Sequence, residues 1–581
     1  MTKIHPFHFL LAVFGFFSAY TNALGFDISG LPLELETNLR YHLTAYEDKE
    51  ASRLNQRKLH STVDAALSPY GYYHSQLKVH SVDDQRLSLE VDLGLPTKVA
   101  TVDVVVSGEA SQDIDFSMLL ANKSVKEGDA LNHQAYDSLK SRLLSLAQRK
   151  GYFDGVFTQS KLEVIPSQNI ANIRLHFNSG PRYKFGKVTF HQNQIEEDRV
   201  RSLNTFEQGD LFETNLVSEF QAQLIKTNWY QGTSVVSNWS TANEKNEVPI
   251  DVYLDPKTKN IVQFGAGYST NLGAKGSLRW QQPWYNARGH SFESKLEVSE
   301  PEQSLSLGYK IPTKDVINDY YGVRFESKQV DYLDTNSVMG DLVFEKHWKV
   351  NEEWQSTVYL KYLYENYQQA SDENETQLMM PGIEFLYQPR AYQPKAYKPK
   401  TYQPQNLLLK DLKHWHLYSI EYSDPNLLSD SRVLRVTGDS QLAWNITQNQ
   451  IFAMRSYLGA NFSDSIEDLP SSLRFFAGGD GSVRGYKYGS ISPTDQNGEL
   501  TGAPFVATLG LDYQARVYKS FWGGIFYDFG DAFDTSPNWN QGLGVSVEWK
   551  SKYLPIKLNL AKGVNSEDEY RVHLSFGTKF N

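Results

Sequence analysis

From Asn260 onward, apolar and polar side chains alternate with a period of two. Val262, Phe264, Ala266 and Tyr268 fall on one face of a strand, and Gln263, Gly265 and Gly267 on the other. Phe505, Ala507, Leu509, Leu511 and Tyr513 alternate with Thr508, Gly510, Asp512 and Gln514. Leu543, Val545, Val547 and Trp549 alternate with Gly542, Gly544, Ser546 and Glu548. Such alternation predicts strands with one apolar face. That face is rich in aromatics, and the other carries Lys, Asp, Glu and Gly, which suit a wet lumen better than a sandwich core. About sixteen such segments fit between Asn260 and Asn581, an even number that permits closure into an antiparallel transmembrane barrel.

The preceding chain follows a different pattern. Ser68-Pro-Tyr-Gly-Tyr-Tyr73 returns as Arg149-Lys-Gly-Tyr-Phe153 and, more weakly, as Thr227-Asn-Trp-Tyr230. Gly94-Leu-Pro96, Ser179-Gly-Pro181 and Leu254-Asp-Pro256 keep step with it, each after a strand-like run. Three units of strand, two helices and two strands are therefore expected, over residues 24–96, 97–180 and 181–259, with the barrel at 260–581. The predicted fold is thus α+β repeats followed by an all-β barrel.

At the start, Lys3 precedes the apolar run Phe7 to Phe17, and Thr21 and Ala23 offer small residues for cleavage. The run is well short of the roughly 20 residues that span a bilayer, so residues 1–23 are expected to be an export signal. Cysteine is absent, which removes disulfides, thiolate metal sites and cysteine nucleophiles. A net charge of -11 argues against nucleic acid as a partner. Neither a Gly-x-Ser-x-Gly elbow nor a His-Glu-x-x-His helix occurs, so no enzyme is expected. His414 and His416 share a strand face, but two ligands make a poor metal site, and no metal or other cofactor is assigned.

The most informative segment is Arg474-Phe-Phe-Ala-Gly-Gly-Asp-Gly-Ser-Val-Arg-Gly-Tyr-Lys-Tyr488. Its glycines lack the Lys-Ser/Thr of a phosphate cradle. Val483-Arg484-Gly485-Tyr486, after Phe476-Ala-Gly-Gly479, resembles the VRGF/Y signature in the sixth extracellular loop of the BamA/TamA superfamily of outer-membrane assembly factors. Phe526-Tyr-Asp528-Phe-Gly530 matches the companion FxDxG motif of its thirteenth strand, and the three repeats match its periplasmic POTRA modules. Three modules with a sixteen-stranded barrel are similar to the TamA type within the family. The resemblance covers essentially the whole chain after the signal.

By strand parity, Phe526, Asp528 and Glu548 face the lumen, where Arg484 would find an acidic partner on a loop folded inward. Gly485 would permit close approach and Tyr486 would pack on the inner wall. The barrel seam is expected to join the first strand, with Val262, Phe264, Gly265 and Gly267, to the last, with Tyr570, Val572, Leu574, Phe576 and Phe580. The resemblance implies that this seam is a lateral gate in a locally thinned bilayer. It also implies unfolded outer-membrane protein clients such as autotransporters, and an inner-membrane-anchored TamB-like partner at the modules. A two-partner-secretion transporter and a passive channel are the alternatives. One insertion, Tyr387 to Pro404, repeats Tyr every five residues with Pro two later. It is expected in an extended conformation between strands eight and nine, on the periplasmic side.

Overall fold

Residues 24 to 256 build three α+β modules with one topology. The computed structural model describes residues 24–46, 54–83, 86–192, 194–389, 412–551, 554–564 and 570–577; the expected export signal and the Tyr–Pro repeat beyond Pro389 lie outside them. The first module runs β1 (Gly25–Ser29), α1 (Leu33–Leu43), α2 (Gln56–Leu67), β2 (Gln76–Asp83) and β3 (Arg86–Asp92). The second runs β4 (Lys98–Ser107), α3 (Ile114–Ala121), α4 (His133–Arg149), β5 (Val156–Ile165) and β6 (Ile170–Asn178). The third runs β7 (Lys184–His191), α5 (Glu197–Arg201), α6 (Thr214–Lys226), β8 (Tyr230–Ser237) and β9 (Glu247–Pro256). In each sheet the last strand takes the centre, giving the orders β1-β3-β2, β4-β6-β5 and β7-β9-β8.

Helix α4 illustrates how the pattern becomes structure. The Asn132 side chain accepts the Ala135 N–H at 3.2 Å and caps the first turn. Tyr136, Leu139, Leu143 and Leu146 then lie on one stripe, buried with Ala171, Ile173, Leu175 and Phe177 of β6. Each buried leucine contributes about 1.5–3 kcal/mol.

The repeated Gly-aromatic motif is the joint between modules. Gly71 and Gly151 have φ of +90° and +79°, and Asn228 takes the same left-handed region at +62°. A Cβ on Gly71 would stand 2.7 Å from Leu131 O, and one on Gly151 2.8 Å from the Phe212 Cβ. The aromatic side chains that follow reach forward. Tyr73 Oη lies 2.6 Å from His133 Nε2, and the Phe153 ring packs on Phe212 at 5.1 Å. In the third repeat, Trp229 reaches a barrel turn and donates its indole N–H to Gly289 O at 3.1 Å.

The chain divides into two compact units, and the barrel belongs to the second, together with residues 189–205 and 218–236. Its first eight strands are β10 (Ile261–Ser269), β11 (Gly273–Gln282), β12 (Ser291–Ser299), β13 (Glu302–Pro312), β14 (Tyr320–Tyr332), β15 (Thr335–Lys349), β16 (Trp354–Gln369) and β17 (Asp372–Tyr387). The rest are β18 (Leu412–Ser423), β19 (Val433–Thr447), β20 (Gln450–Phe462), β21 (Phe505–Tyr518), β22 (Phe521–Phe533), β23 (Asn540–Trp549), β24 (Ile556–Gly563) and β25 (Arg571–Gly577). These sixteen close into an antiparallel barrel through the pairing of β25 with β10. Among the described residues no helix is long and apolar enough to cross a membrane; the barrel crosses with strands. Val262, Phe264, Ile525, Leu543, Val545 and Val547 all point outward and are exposed, as a lipid-facing surface requires. Strand eight, β17, ends and strand nine, β18, begins at the barrel end from which β10 starts.

Candidate functional site

Residues 463–504, between β20 and β21, form the sixth loop on the far side of the barrel, and this loop folds into the lumen. Its stem is tied to the wall opposite the seam. Glu365 on β16, fully buried, accepts Ser471 Oγ at 2.6 Å and Ser472 N at 3.2 Å. The Arg474 guanidinium donates to Leu469 O at 2.9 Å and Thr501 O at 3.0 Å, and pairs with Asp372 at 3.2 Å. On β19, Arg435 donates to Leu473 O at 2.7 Å. Phe475, Ala477, Val483, Tyr486 and Ile491 of the loop form one buried cluster with Val506 and Ala532 of the wall.

At the tip, Arg484 is wholly buried. Its Nε and one terminal nitrogen donate to the two Asp528 oxygens at 2.6 and 2.7 Å. The terminal nitrogens also donate to Asp512 at 2.8 and 3.0 Å, and the Arg484 backbone N–H adds a bond to Asp528 at 3.0 Å. The guanidinium lies 3.6 Å from the centre of the Phe526 ring. Arg455 of β20 completes the cluster, reaching Asp528 at 2.9 Å, Asp512 at 3.2 Å and Ser482 O at 3.2 Å. Two carboxylates thus face two guanidinium groups. That balance matters, because an unpaired buried charge costs several kcal/mol.

The backbone fit is equally close. Gly485 has φ +98°, and a Cβ there would stand 2.6 Å from Gly563 N. A Cβ on Gly530 would stand 2.8 Å from Ala507 O of the paired strand.

Glu548 requires a correction. It faces the lumen, but its side chain meets Gln514 at 3.4 Å and Lys550 at 3.9 Å, and takes no part in the Arg484 cluster. Asp528 pairs across the sheet with Gly542, whereas Glu548 pairs with Trp522, six residues farther along β23 and about 20 Å away at strand rise. Parity fixes the face of a strand and not the height. The residues that sequence reasoning missed, Asp512, Arg455 and His573, all stand on lumen-facing parity; only the register brings them to the loop.

At the seam, Gly267 pairs with Gly577, Tyr268 with Phe576 and Ser269 with Ser575. A Cβ on Gly267 would stand 2.7 Å from Phe576 O, and the Tyr268 and Phe576 rings stack at 6.0 Å. Val262, Phe264 and Gly265 pair on their other side with Trp280, Leu278 and Ser277 of β11. Leu574 meets the seam through Thr270, whose N–H donates to Leu574 O at 3.0 Å. Tyr570 and Val572 do not line the seam as expected. The stagger between the closing strands carries them past the end of β10, and Val572 pairs with Leu560 of β24. Phe580 lies outside the described residues.

Below the loop the lumen keeps a cavity of about 1470 Å³, lined by Glu293, Lys310, Arg324, Glu345, Lys361 and Glu421 among others.

A plugged sixteen-strand barrel preceded by three such modules defines a POTRA-bearing outer-membrane protein, with the modules in the periplasm. Residues 416–580 match the Omp85 superfamily domain, and residues 25–93 match the POTRA domain described as TamA domain 1. The barrel half of the chain is thus Omp85-like and its first module TamA-like. It is 28% identical over 141 residues to the outer membrane protein assembly factor BamA of Nitratidesulfovibrio vulgaris, a match covering 22% of this chain and 18% of that relative. In fold it is similar to the structure of BamA from Haemophilus ducreyi lacking POTRA domains 1–3, with a TM-score of 0.67 at 14% identity over 83% of this chain and 100% of that one.

Proposed function

We propose that this protein inserts or translocates β-barrel proteins, autotransporters among them, through a lateral gate between β10 and β25. The physical obstacle is that unpaired strand edges in hydrocarbon cost several kcal/mol per orphan backbone group. A catalyst can lower that cost by lending its own strand edges to an incoming chain. Strands that release easily and a thin surrounding bilayer both help.

The observation that carries the reading is the low wall at the seam. The nine residues of β10, tilted by about 40°, rise about 23 Å, whereas the sixteen of β16 on the opposite side rise about 40 Å. A hydrophobic band that short compresses the lipid beside the gate. The glycine pair Gly267 and Gly577 adds backbone contact there but no side-chain packing.

The modules would receive clients, and a TamB-like inner-membrane-anchored partner, by pairing with free sheet edges such as β2. The plugged lumen favours this role over export of an unfolded chain through the pore, which would have to displace the buried Arg484. No covalent bond is made or broken, so the proposed role needs no catalytic residue.

The test is insertion of an unfolded outer-membrane barrel into vesicles with and without the full chain, scored by the heat-sensitive gel shift of folded barrels. The reading expects faster insertion with the protein present; equal rates would overturn it.

A further inference from the structure

Loop six extends beyond its strand-thirteen anchor to both lips of the seam. On one lip, His573 of β25 points into the lumen and is 2% exposed. Its Nε2 accepts the Gly485 N–H at 3.2 Å. That bond leaves the ring proton of the neutral imidazole on Nδ1, which lies 3.1 Å from Asp480 Oδ1. This Asp480 oxygen is buried and makes no hydrogen bond, so its contact with the imidazole edge is electrostatic. On the other lip, the Asn271 side-chain nitrogen comes within 3.2 Å of where a Cβ on Gly479 would stand. The segment from Gly479 to Gly485 therefore lies across the junction of the first and last strands.

The adjoining residues of β25 make the seam itself. Leu574 O accepts the Thr270 N–H at 3.0 Å, Leu574 N donates to Thr270 Oγ1 at 3.3 Å, and Ser575 pairs with Ser269. One step along the strand thus separates the contact with the loop from the contact with β10. The loop is held independently by Asp512, Asp528 and Glu365, so it offers the closing strand a fixed support.

We propose that His573 is the positioning residue that buckles the closing strand to loop six, and that the seam parts at its outer end only when the imidazole releases Gly485 and Asp480. This rests on the reading of the seam as a gate. It adds which side chain sets how readily the gate opens, and it explains why a loop anchored on strand thirteen bears on a junction three strands away.

The experiment is amide hydrogen exchange on the full chain in lipid nanodiscs, with no client or partner, following the peptides that contain Thr270 and Leu574. His573→Ala is expected to speed exchange there by about fivefold, the equivalent of one ordinary hydrogen bond, while the β16–β17 ladder is unchanged. His573→Gln, which can accept from Gly485 and donate to Asp480, should restore the slow rate. If His573→Ala does not insert, Asp480→Ala removes part of the contact from the loop side and is read in the same way. Unchanged exchange at Thr270, or a rise spread equally over the barrel, overturns the proposal. Because no client is present, the result is separable from the insertion assay: a failed assay with a responsive seam rejects the assembly role and leaves the buckle standing.

Discussion

The carbonyl oxygen of Arg484 occupies the space that a side chain on Gly542 would need, 1.8 Å from an ideal Cβ. Loop six is therefore pressed against the backbone of β23, and the absence of a side chain at one wall position is part of its docking. Gly542→Ala should displace the loop tip and destabilise the barrel by about 1–3 kcal/mol, the usual cost of overpacking. The readout is the temperature at which the folded band converts on a cold denaturing gel. Gly276→Ala is the control, since a Cβ there meets nothing within 4 Å and should leave the transition in place.

The cluster of two arginines and two aspartates should behave as one unit. Arg455→Ala, although outside the loop motif, leaves a carboxylate short of a partner, and should cost about 3–5 kcal/mol, as Arg484→Ala should. Arg484→Lys should not rescue, because an ammonium cannot make two bidentate bonds at once. Adding Asp512→Asn to Arg455→Ala should recover part of the loss, a coupling visible in a double-mutant cycle. Additive losses would show that the four residues act separately.

The joint between the first two modules carries a titratable group. Burial beside Tyr73 lowers the His133 pKa below its ordinary value, against a smaller opposing effect of Asp137. A lowered pKa means the fold prefers the neutral imidazole. Its contribution is complete above the unfolded value of about 6.5 and is lost as pH falls through that value toward the folded one. Amide exchange at Thr97, whose N–H donates to Gly71 O at 2.8 Å, should accelerate between pH 7.5 and 5.5 after correction for intrinsic rates. His133→Gln should remove that extra acceleration.

Much of this architecture is written in local pattern. The change of period at Asn260 separates modules from barrel, and alternation alone assigns Asp528 and Phe526 to the lumen. The Gly71 and Gly151 motif marks the joints because a left-handed turn pressed by the next module admits few other residues. Register is different. Whether Arg484 meets Asp512 or Glu548 depends on stagger accumulated around a closed sheet, which no single strand encodes. His573 reads from sequence as one polar position in a terminal strand; only the inward fold of a distant loop gives it partners. Tyr570 and Val572 share the outward face of the seam residues, yet the same stagger carries them beyond the end of β10.

Locking the seam measures the central claim most directly. Ser269 and Ser575 face each other across it, and the chain has no other cysteine to interfere once both are replaced by Cys. With the Ser269→Cys/Ser575→Cys pair oxidised, client insertion into vesicles should stop, and reduction should restore it in the same preparation. Insertion at full rate through a locked seam would contradict the account.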